Sequence, residues 1–391
     1  MSLPLLTLDE QAFINNRDLI LAYARSAGAE VAPHAKTPMA PDLTRLIIEG
    51  GAWGVTVADI RQASVMLKAG LSRLILANEV GGAGGARRLA SLVAAWPYAE
   101  LYVFADSVDA AQAIAAAWRE RALPSLRVLV EVGAGRAGAR SLSQALEVAV
   151  AVRAAGPELT LAGVGAYEGA AAQSTPEATA QAIAGLLELT GSLLREVRGL
   201  VGSEAPLIVT AGGSSFFDRV VAALKPAIAA DPRTILVLRS GAIFFHDHGV
   251  YDRALAALDE RKGFSIDATT RTARRAFRPA LRVWAEVLSR PEPSLVICGM
   301  GKRDVSFDEG LPVVVRVHRG GQALATTPEA RVVKLNDQHA FLNVGPTGDI
   351  AVGDVVEFGV SHPCTCLDRY RFIFGVDERG VVRHAYPTYF G

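Results

Sequence analysis

At 391 residues the chain is long enough for a large core and, as a prior, for two domains. Half its residues are hydrophobic and its mean hydropathy is +0.26, yet no run reaches the roughly 18 uncharged apolar residues of a membrane helix. Its 40 basic and 40 acidic residues cancel without a basic cluster, which argues against a nucleic-acid partner. Met1 to Glu10 lacks the charged and apolar regions of a signal peptide, and Cys298, Cys364 and Cys366 are too few for a disulfide framework. The expectation is a reduced, cytoplasmic protein of enzyme size with no membrane partner.

Leu8 to Ala27 reads as a helix that Gly28 ends. A proline-interrupted apolar run, Val31-Ala32-Pro33, then leads into His34-Ala35-Lys36-Thr37. Short apolar runs follow at Gly54–Ala58, Leu74–Ala77, Leu101–Ala105, Arg127–Val132, Leu161–Ala166, Leu207–Thr210 and Ile235–Arg239. Helical patterns lie between them at Asp59–Ala69, Ala86–Ala95, Val108–Ala122, Leu142–Ala155, Glu177–Arg198 and Phe216–Leu224. Eight β/α units, with Val31 in the first strand, predict a TIM-like α/β barrel over residues 1–260; an open doubly wound sheet is the alternative. After that the runs shorten, alternate and are divided by Gly, Asp and Pro turns: Leu281–Leu288, Ser294–Cys298, Pro312–Val317, Arg331–Leu335, Val355–Val360, Arg371–Val376 and Val381–Ala385. This predicts a C-terminal all-β domain over residues 261–391, which the first few residues of the chain could join.

On a strand end, His34 and Lys36 point to one face and Ala35 to the other. A lysine at a barrel mouth with little competing charge can lose its proton and form a Schiff base, whereas a lysine chosen at random is a surface charge. Gly133-Ala134-Gly135-Arg136-Ala137-Gly138 spells the dinucleotide fingerprint. It follows the fifth barrel strand, though, and no acidic residue ends a following strand about 20 residues on, so Arg136 at the strand end is its more interesting member. Thr210-Ala211-Gly212-Gly213-Ser214-Ser215 and Arg239-Ser240-Gly241-Ala242 follow the last two barrel strands, where backbone N–H groups suit a phosphate. In the β domain, Ser361-His362-Pro363-Cys364-Thr365-Cys366 holds an imidazole and a thiol two residues apart, which suits an open divalent-metal site or, more simply, a buried cysteine beside a turn. Asn336-Asp337-Gln338-His339 reads as a turn, a support or a proton relay, and His246-Asp247-His248, which could mimic a metal site, as a solvated segment after the barrel.

These motifs resemble the fold-type III, alanine racemase-like pyridoxal 5'-phosphate (PLP) enzymes of the D-serine dehydratase and D-threonine aldolase group. The resemblance rests on Pro33-His34-Ala35-Lys36-Thr37, Ala77-Asn78-Glu79-Val80, Ala166-Tyr167-Glu168-Gly169, Ala211-Gly212-Gly213-Ser214, Lys302-Arg303-Asp304 and Ser361-His362-Pro363-Cys364, in order over nearly the whole chain. It implies a homodimer with active sites near the subunit interface. Lys36 would carry the cofactor and, with His34, serve catalysis. Arg136 would face the ring nitrogen, Tyr167 would lie beside the ring, and Gly213, Ser214, Gly241 and Ala242 would hold the phosphate. His362 and Cys364 would bind a divalent metal, zinc first, with manganese, magnesium or cobalt as alternatives. The chain departs from the family at Pro38-Met39, at Ala170, and at Gly241-Ala242-Ile243, where a hydroxyl is missing and only backbone contacts carry over.

The implied activity is D-3-hydroxy amino acid dehydration, a D-amino acid deaminase reaction giving ammonia and a 2-oxo acid. An arginine at the ring nitrogen cannot readily protonate it, because its pKa is above about 12, so the ring is a weaker electron sink. Hydroxide is also a poor leaving group, and a Lewis-acid metal on the β-oxygen supplies the missing assistance. The alternative is retro-aldol cleavage to glycine and an aldehyde; family members that do this tend to carry an acid where Cys364 stands. A non-catalytic PLP carrier and a barrel dehydrogenase are lesser alternatives.

Overall fold

The computed structural model describes residues 2–326, 328–345 and 348–390. The chain opens with strand β1 (Leu5–Asp9) and helix α1 (Glu10–Ala27). The helix expected from Leu8 therefore starts two residues later. Leu6 and Leu8 are buried at alternate positions, as in a strand, and the Asp9 carboxylate caps α1 by accepting the N–H of Ala12 at 2.9 Å.

The barrel follows as β2 (Ala29–Val31), α2 (Pro41–Glu49), β3 (Val55–Val57), α3 (Ile60–Lys68), β4 (Arg73–Leu76), α4 (Gly82–Ala95), β5 (Glu100–Ala105), α5 (Val108–Arg121), β6 (Leu126–Glu131), α6 (Leu142–Ala154), β7 (Leu159–Gly165), α7 (Pro176–Val201), β8 (Leu207–Ala211), α8 (Phe217–Ala229), β9 (Thr234–Leu238) and α9 (Val250–Glu260). The eight strands β2–β9 pair in parallel in the order β2-β9-β8-β7-β6-β5-β4-β3. Three bonds join the two ends of this order: Trp53 N–H to Val31 O at 2.8 Å, Thr56 N–H to Pro33 O at 2.9 Å, and Ala35 N–H to Thr56 O at 2.8 Å. The sheet is thus a barrel and not an open doubly wound sheet.

Period-2 alternation along these strands splits the core in two. Ile75, Tyr102, Phe104, Leu129, Ile208 and Val237 fill the barrel interior. Their neighbours Leu74, Leu76, Val103, Val128, Val130 and Val209 face outward and are covered by the helices. Each fully buried large apolar side chain contributes about 1.5–3 kcal/mol relative to exposure. No helix among the described residues is long and apolar enough to cross a membrane.

Beyond the barrel come a small hairpin of β10 (Ser265–Ile266) and β11 (Thr269–Thr270), the short α10 (Ala273–Ala276), and the strands β12 (Leu281–Glu292), β13 (Leu295–Cys298), β14 (Val313–Arg319), β15 (Gln322–Ala323), β16 (Ala330–Leu335), β17 (Ala340–Val344) and β18 (Val355–Gly359). The one-turn α11 (Cys364–Leu367), β19 (Phe372–Val376) and β20 (Val382–Pro387) complete the chain. The strands order as β15-β14-β18-β12-β1-β19-β20, with β13, β17 and β16 branching from β12. β1 lies inside this second sheet, antiparallel to β12 and parallel to β19. Backbone bonds from His248 N–H to Val360 O (2.9 Å) and from Val250 N–H to Ser361 O (3.0 Å) tie the segment after β18 to the segment before α9. That tie holds residues 361–364 at the barrel mouth.

The segment 246–248 is not solvated as the sequence suggests. His246 and Asp247 are about 1% exposed. Burial lowers the pKa of His246 to about 4 and that of His248 to about 3, so both imidazoles are neutral. Asn336–His339 is the turn between β16 and β17, closed by Asn336 N–H to His339 O at 2.9 Å.

Candidate active site at the barrel mouth

The loops that leave the C-terminal ends of the barrel strands, together with α9 and the segment after β18, enclose a cavity of about 310 Å³. His34, Lys36, Arg136, Tyr167, Gly213, Ser214, Gly241, Ala242, His362 and Cys364 all line it. The ten residues to which the resemblance gives a cofactor, catalytic or metal role therefore meet in one place, whereas the Asn336–His339 turn lies outside it. Cys298 and Cys366 lie elsewhere, buried, with thiols that desolvation pushes up to about 12.

Lys36 follows β2 and reaches into the cavity, where its amine has no hydrogen bond or ion pair among the described residues. The surrounding walls desolvate it and lower its pKa; the Cys364 thiol opposes this, while the Arg136 and Arg239 guanidiniums add to it. Beside it, His34 is desolvated and faces Lys36 and two arginines, so its pKa falls well below the ordinary value and its ring is neutral. The buried Nδ1 of His34 has no partner in the protein.

The glycine loops are shaped by Glu168, a fully buried carboxylate in the turn after β7. Its Oε2 accepts Gly212 N–H at 3.0 Å and its Oε1 accepts Gly213 N–H at 2.6 Å. The Gly213 amide is thus committed, and what Gly213 contributes is space: a Cβ there would lie 2.9 Å from the Tyr167 ring. Likewise a Cβ on Gly241 would lie 2.7 Å from His34 O. Ser214 Oγ accepts Ile243 N–H at 3.2 Å, and Ser240 Oγ donates to Gly212 O at 2.9 Å, so the two loops are locked together. The N–H groups of Ser214, Gly241 and Ala242 have no acceptor among the described residues, which leaves them for an anion.

Two arginines face the same space. Arg239 is buried, donating from Nη1 to Thr210 Oγ1 at 2.8 Å and from Nη2 to Ala166 O at 2.6 Å, with its guanidinium 5.2 Å from the Phe104 ring centroid. Arg136 lies 4.9 Å over the Tyr167 ring and 3.6 Å from Glu131 Oε1, whose carboxylate is fully buried. Near it, burial first, then the facing Glu131 carboxyl and Asp106, push the Glu79 carboxyl up to about 9. Folded Glu79 therefore keeps a proton that the unfolded chain loses above about 4.5, and between those values stability falls as pH rises. Glu79→Gln is expected to melt a few degrees above the parent at about pH 8 and level with it at about pH 5. An equal shift at both pH values would assign the change to packing instead.

The second-domain wall carries the imidazole and thiol. His362 Nδ1–H donates to Asp308 Oδ2 at 2.7 Å, and Thr365 Oγ1–H donates to Asp308 Oδ1 at 2.7 Å. Burial alone would lower the His362 pKa, but the Cys364 thiol and the Asp308 carboxylate outweigh it and raise the pKa to about 9. With Nδ1 held by a carboxylate, Nε2 is left to pair with Cys364, which is how ligating histidines are oriented. Cys364 Sγ is also 3.4 Å from Thr37 Oγ1, next to Lys36 in the chain. Among the described residues no third His, Cys, Asp or Glu converges with these two, so the protein offers two donors and open positions. Asp308, Glu168 and Tyr251 went unassigned in the sequence. Glu168 stood inside a motif without a role, and nothing in the spacing pairs Asp308 with His362 54 residues away.

The neutral His34 imidazole, the depressed Lys36 amine, the free N–H groups and the two guanidiniums together fit an aldehyde-bearing aromatic phosphate. A barrel with such a mouth defines a PLP enzyme of fold type III. Residues 8–220, over half of the chain, match the family described as alanine racemase, N-terminal domain, and residues 280–376 match that described as putative serine dehydratase domain. The chain belongs to this fold-type III PLP family. It is 25% identical over 395 residues to a 3-hydroxy-D-aspartate aldolase of Paracoccus denitrificans, covering 98% of this chain and 91% of that one. The crystal structure of D-threonine aldolase from Filomicrobium marinum superposes with a TM-score of 0.78 at 24% identity, covering 99% of this chain and 95% of that one. D-threo-3-hydroxyaspartate dehydratase from Delftia sp. HT23 gives a TM-score of 0.73 at 20% identity, covering 100% and 98%.

Proposed function

We propose that this chain is a PLP- and divalent-metal-dependent lyase that dehydrates a D-3-hydroxy amino acid such as D-serine, D-threonine or an aryl-serine to ammonia and a 2-oxo acid. The observation that carries this reading is the His362–Cys364 pair on the same cavity as the Lys36 amine, with Cys364 beside Thr37. When bound, PLP supplies a sink for charge at the substrate α-carbon, and a divalent ion supplies Lewis acidity at the β-oxygen. The remaining work falls to the chain. Lys36 takes the α-proton, a task favoured by the desolvation that lowers its pKa. Ser214, Gly241 and Ala242 bind the phosphate through their N–H groups, on loops that Glu168 and Ser240 hold in place. Arg136, stacked on Tyr167, would supply the cation beside the pyridine ring. His362 and Cys364 hold the ion, zinc by donor type, with Asp308 fixing the imidazole. The proposal includes a homodimer; sedimentation of the holoenzyme as a 41.2-kDa species would refute that part.

The aldolases among the similar proteins favour a second reading, retro-aldol cleavage to glycine and an aldehyde, which needs a base for the β-hydroxyl proton. Purified holoenzyme, with and without chelator, separates the two. D-serine, D-threonine and D-phenylserine are supplied in turn, and ammonia, 2-oxo acid and aldehyde are followed separately. Ammonia and 2-oxo acid that disappear with chelator are expected. Aldehyde and glycine would replace the dehydratase by the aldolase. No product from any of the three, with the cofactor bound, would leave a non-catalytic carrier.

A further inference from the structure

Tyr251 lies in the first turn of α9 and belongs to none of the motifs. Its backbone is held firmly: Asp247 Oδ1 accepts the N–H groups of Gly249 at 2.7 Å, Tyr251 at 2.9 Å and Asp252 at 3.3 Å. The side chain lines the cavity that holds Lys36 and Cys364, with its ring edge-on to His362 at 6.4 Å between centroids. Packing against His362 needs only the ring. The hydroxyl has no hydrogen-bond partner among the described residues, although a phenol on a protein wall ordinarily finds one. It therefore awaits a partner inside the cavity. At neutral pH a phenol is a donor, since it ionises near pH 10.

Lys36 and Cys364 fix what that partner is. An amino acid whose α-carbon sits at the Lys36 amine carries its β-oxygen two bonds away. The thiol is 3.4 Å from the side chain of the next residue, Thr37, and the phenol ring meets His362, so amine, thiol, imidazole and phenol line one cavity. We propose that the Tyr251 hydroxyl donates a hydrogen bond to the β-hydroxyl oxygen of the bound amino acid, and so makes the site prefer 3-hydroxy over unsubstituted amino acids. This assignment rests on the proposed D-3-hydroxy amino acid reading. The bond strengthens as the carbon–oxygen bond breaks and the oxygen gains charge, so it serves elimination as well as selection.

The test is equilibrium binding to holoenzyme in the presence of chelator, read from the absorbance of the bound cofactor. The probes are α-methyl-D-serine and 2-aminoisobutyrate, a pair that differs only by the hydroxyl. Neither has an α-hydrogen, so elimination cannot start. The wild-type protein is expected to prefer α-methyl-D-serine, and Tyr251→Phe to lose about three- to tenfold of that preference with its affinity for 2-aminoisobutyrate unchanged. An unchanged preference, or equal weakening of both probes, overturns the assignment alone. No spectral response of the wild-type protein to either probe overturns the amino acid reading and the assignment with it.

Discussion

Lys36→Ala is expected to abolish turnover, by at least about 10³-fold, and to remove the absorbance band of covalently held PLP while the fold stays intact. Both effects follow from what surrounds the amine. Lys36 makes no hydrogen bond or ion pair among the described residues, so truncation strands no buried partner. It also relieves a desolvated cation facing Arg136 and Arg239, so thermal stability of the cofactor-free variant is expected to match or slightly exceed the parent. Phosphate contacts from Ser214, Gly241 and Ala242 do not involve Lys36, so the variant should still bind PLP reversibly, detectable by equilibrium dialysis. A variant that kept the parent's spectrum would move the attachment to another lysine. One that unfolded would show that the amine is part of the core.

The barrel was legible because its strands are apolar on both faces and its helices are alanine-rich and amphipathic, so the two periods separate cleanly. Of the elements that escaped, three did so for identifiable reasons. α2 begins at Pro41, which a helix accepts in its first turn, but Pro38 and Pro41 three residues apart read as a loop. β1 was absorbed into α1 because Leu8 and Asp9 run into the helix without a break, and only the Asp9 cap marks the boundary. β17 is five residues long and directly follows a polar turn. For the site, Lys36, His362 and the glycine loops were found because their chemistry is local in sequence. Asp308, Arg239 and Tyr251 act through contacts that exist only after the second domain or the barrel has closed. The hydrogen bond of Asp308 to His362 joins residues separated in the chain by β14–β18, and Tyr251 reaches the cavity because buried Asp247 anchors α9. Fold and cofactor chemistry are thus written in runs and motifs, whereas the residues that aim them are written in tertiary contacts.

Cys364→Ala is expected to keep PLP and lose most turnover, about 10²–10³-fold, together with bound divalent metal measured by elemental analysis. Cys364 touches the Lys36 loop only at the Thr37 hydroxyl and the phosphate contacts lie on other barrel loops, so the absorbance of the holoenzyme should persist. Among the described residues its thiol hydrogen-bonds to Thr37 Oγ1 and pairs with His362, so the fold loses little. The His362 pKa should fall from about 9, because one of the two groups that raise it is gone; the Asp308 carboxylate remains. That fall is readable by NMR titration of the imidazole in metal-free protein, where a merely structural cysteine would leave it unmoved. Cys364→Asp serves as the companion variant. A carboxylate restores a ligand and an anion beside His362, so metal content and the raised pKa should return. If elimination depends on the thiolate itself, the product balance of this variant should move from 2-oxo acid towards aldehyde and glycine. Full activity of Cys364→Ala in metal-free buffer would remove the metal from the reaction and leave Lys36 and the His34 side of the cavity to do the chemistry without it.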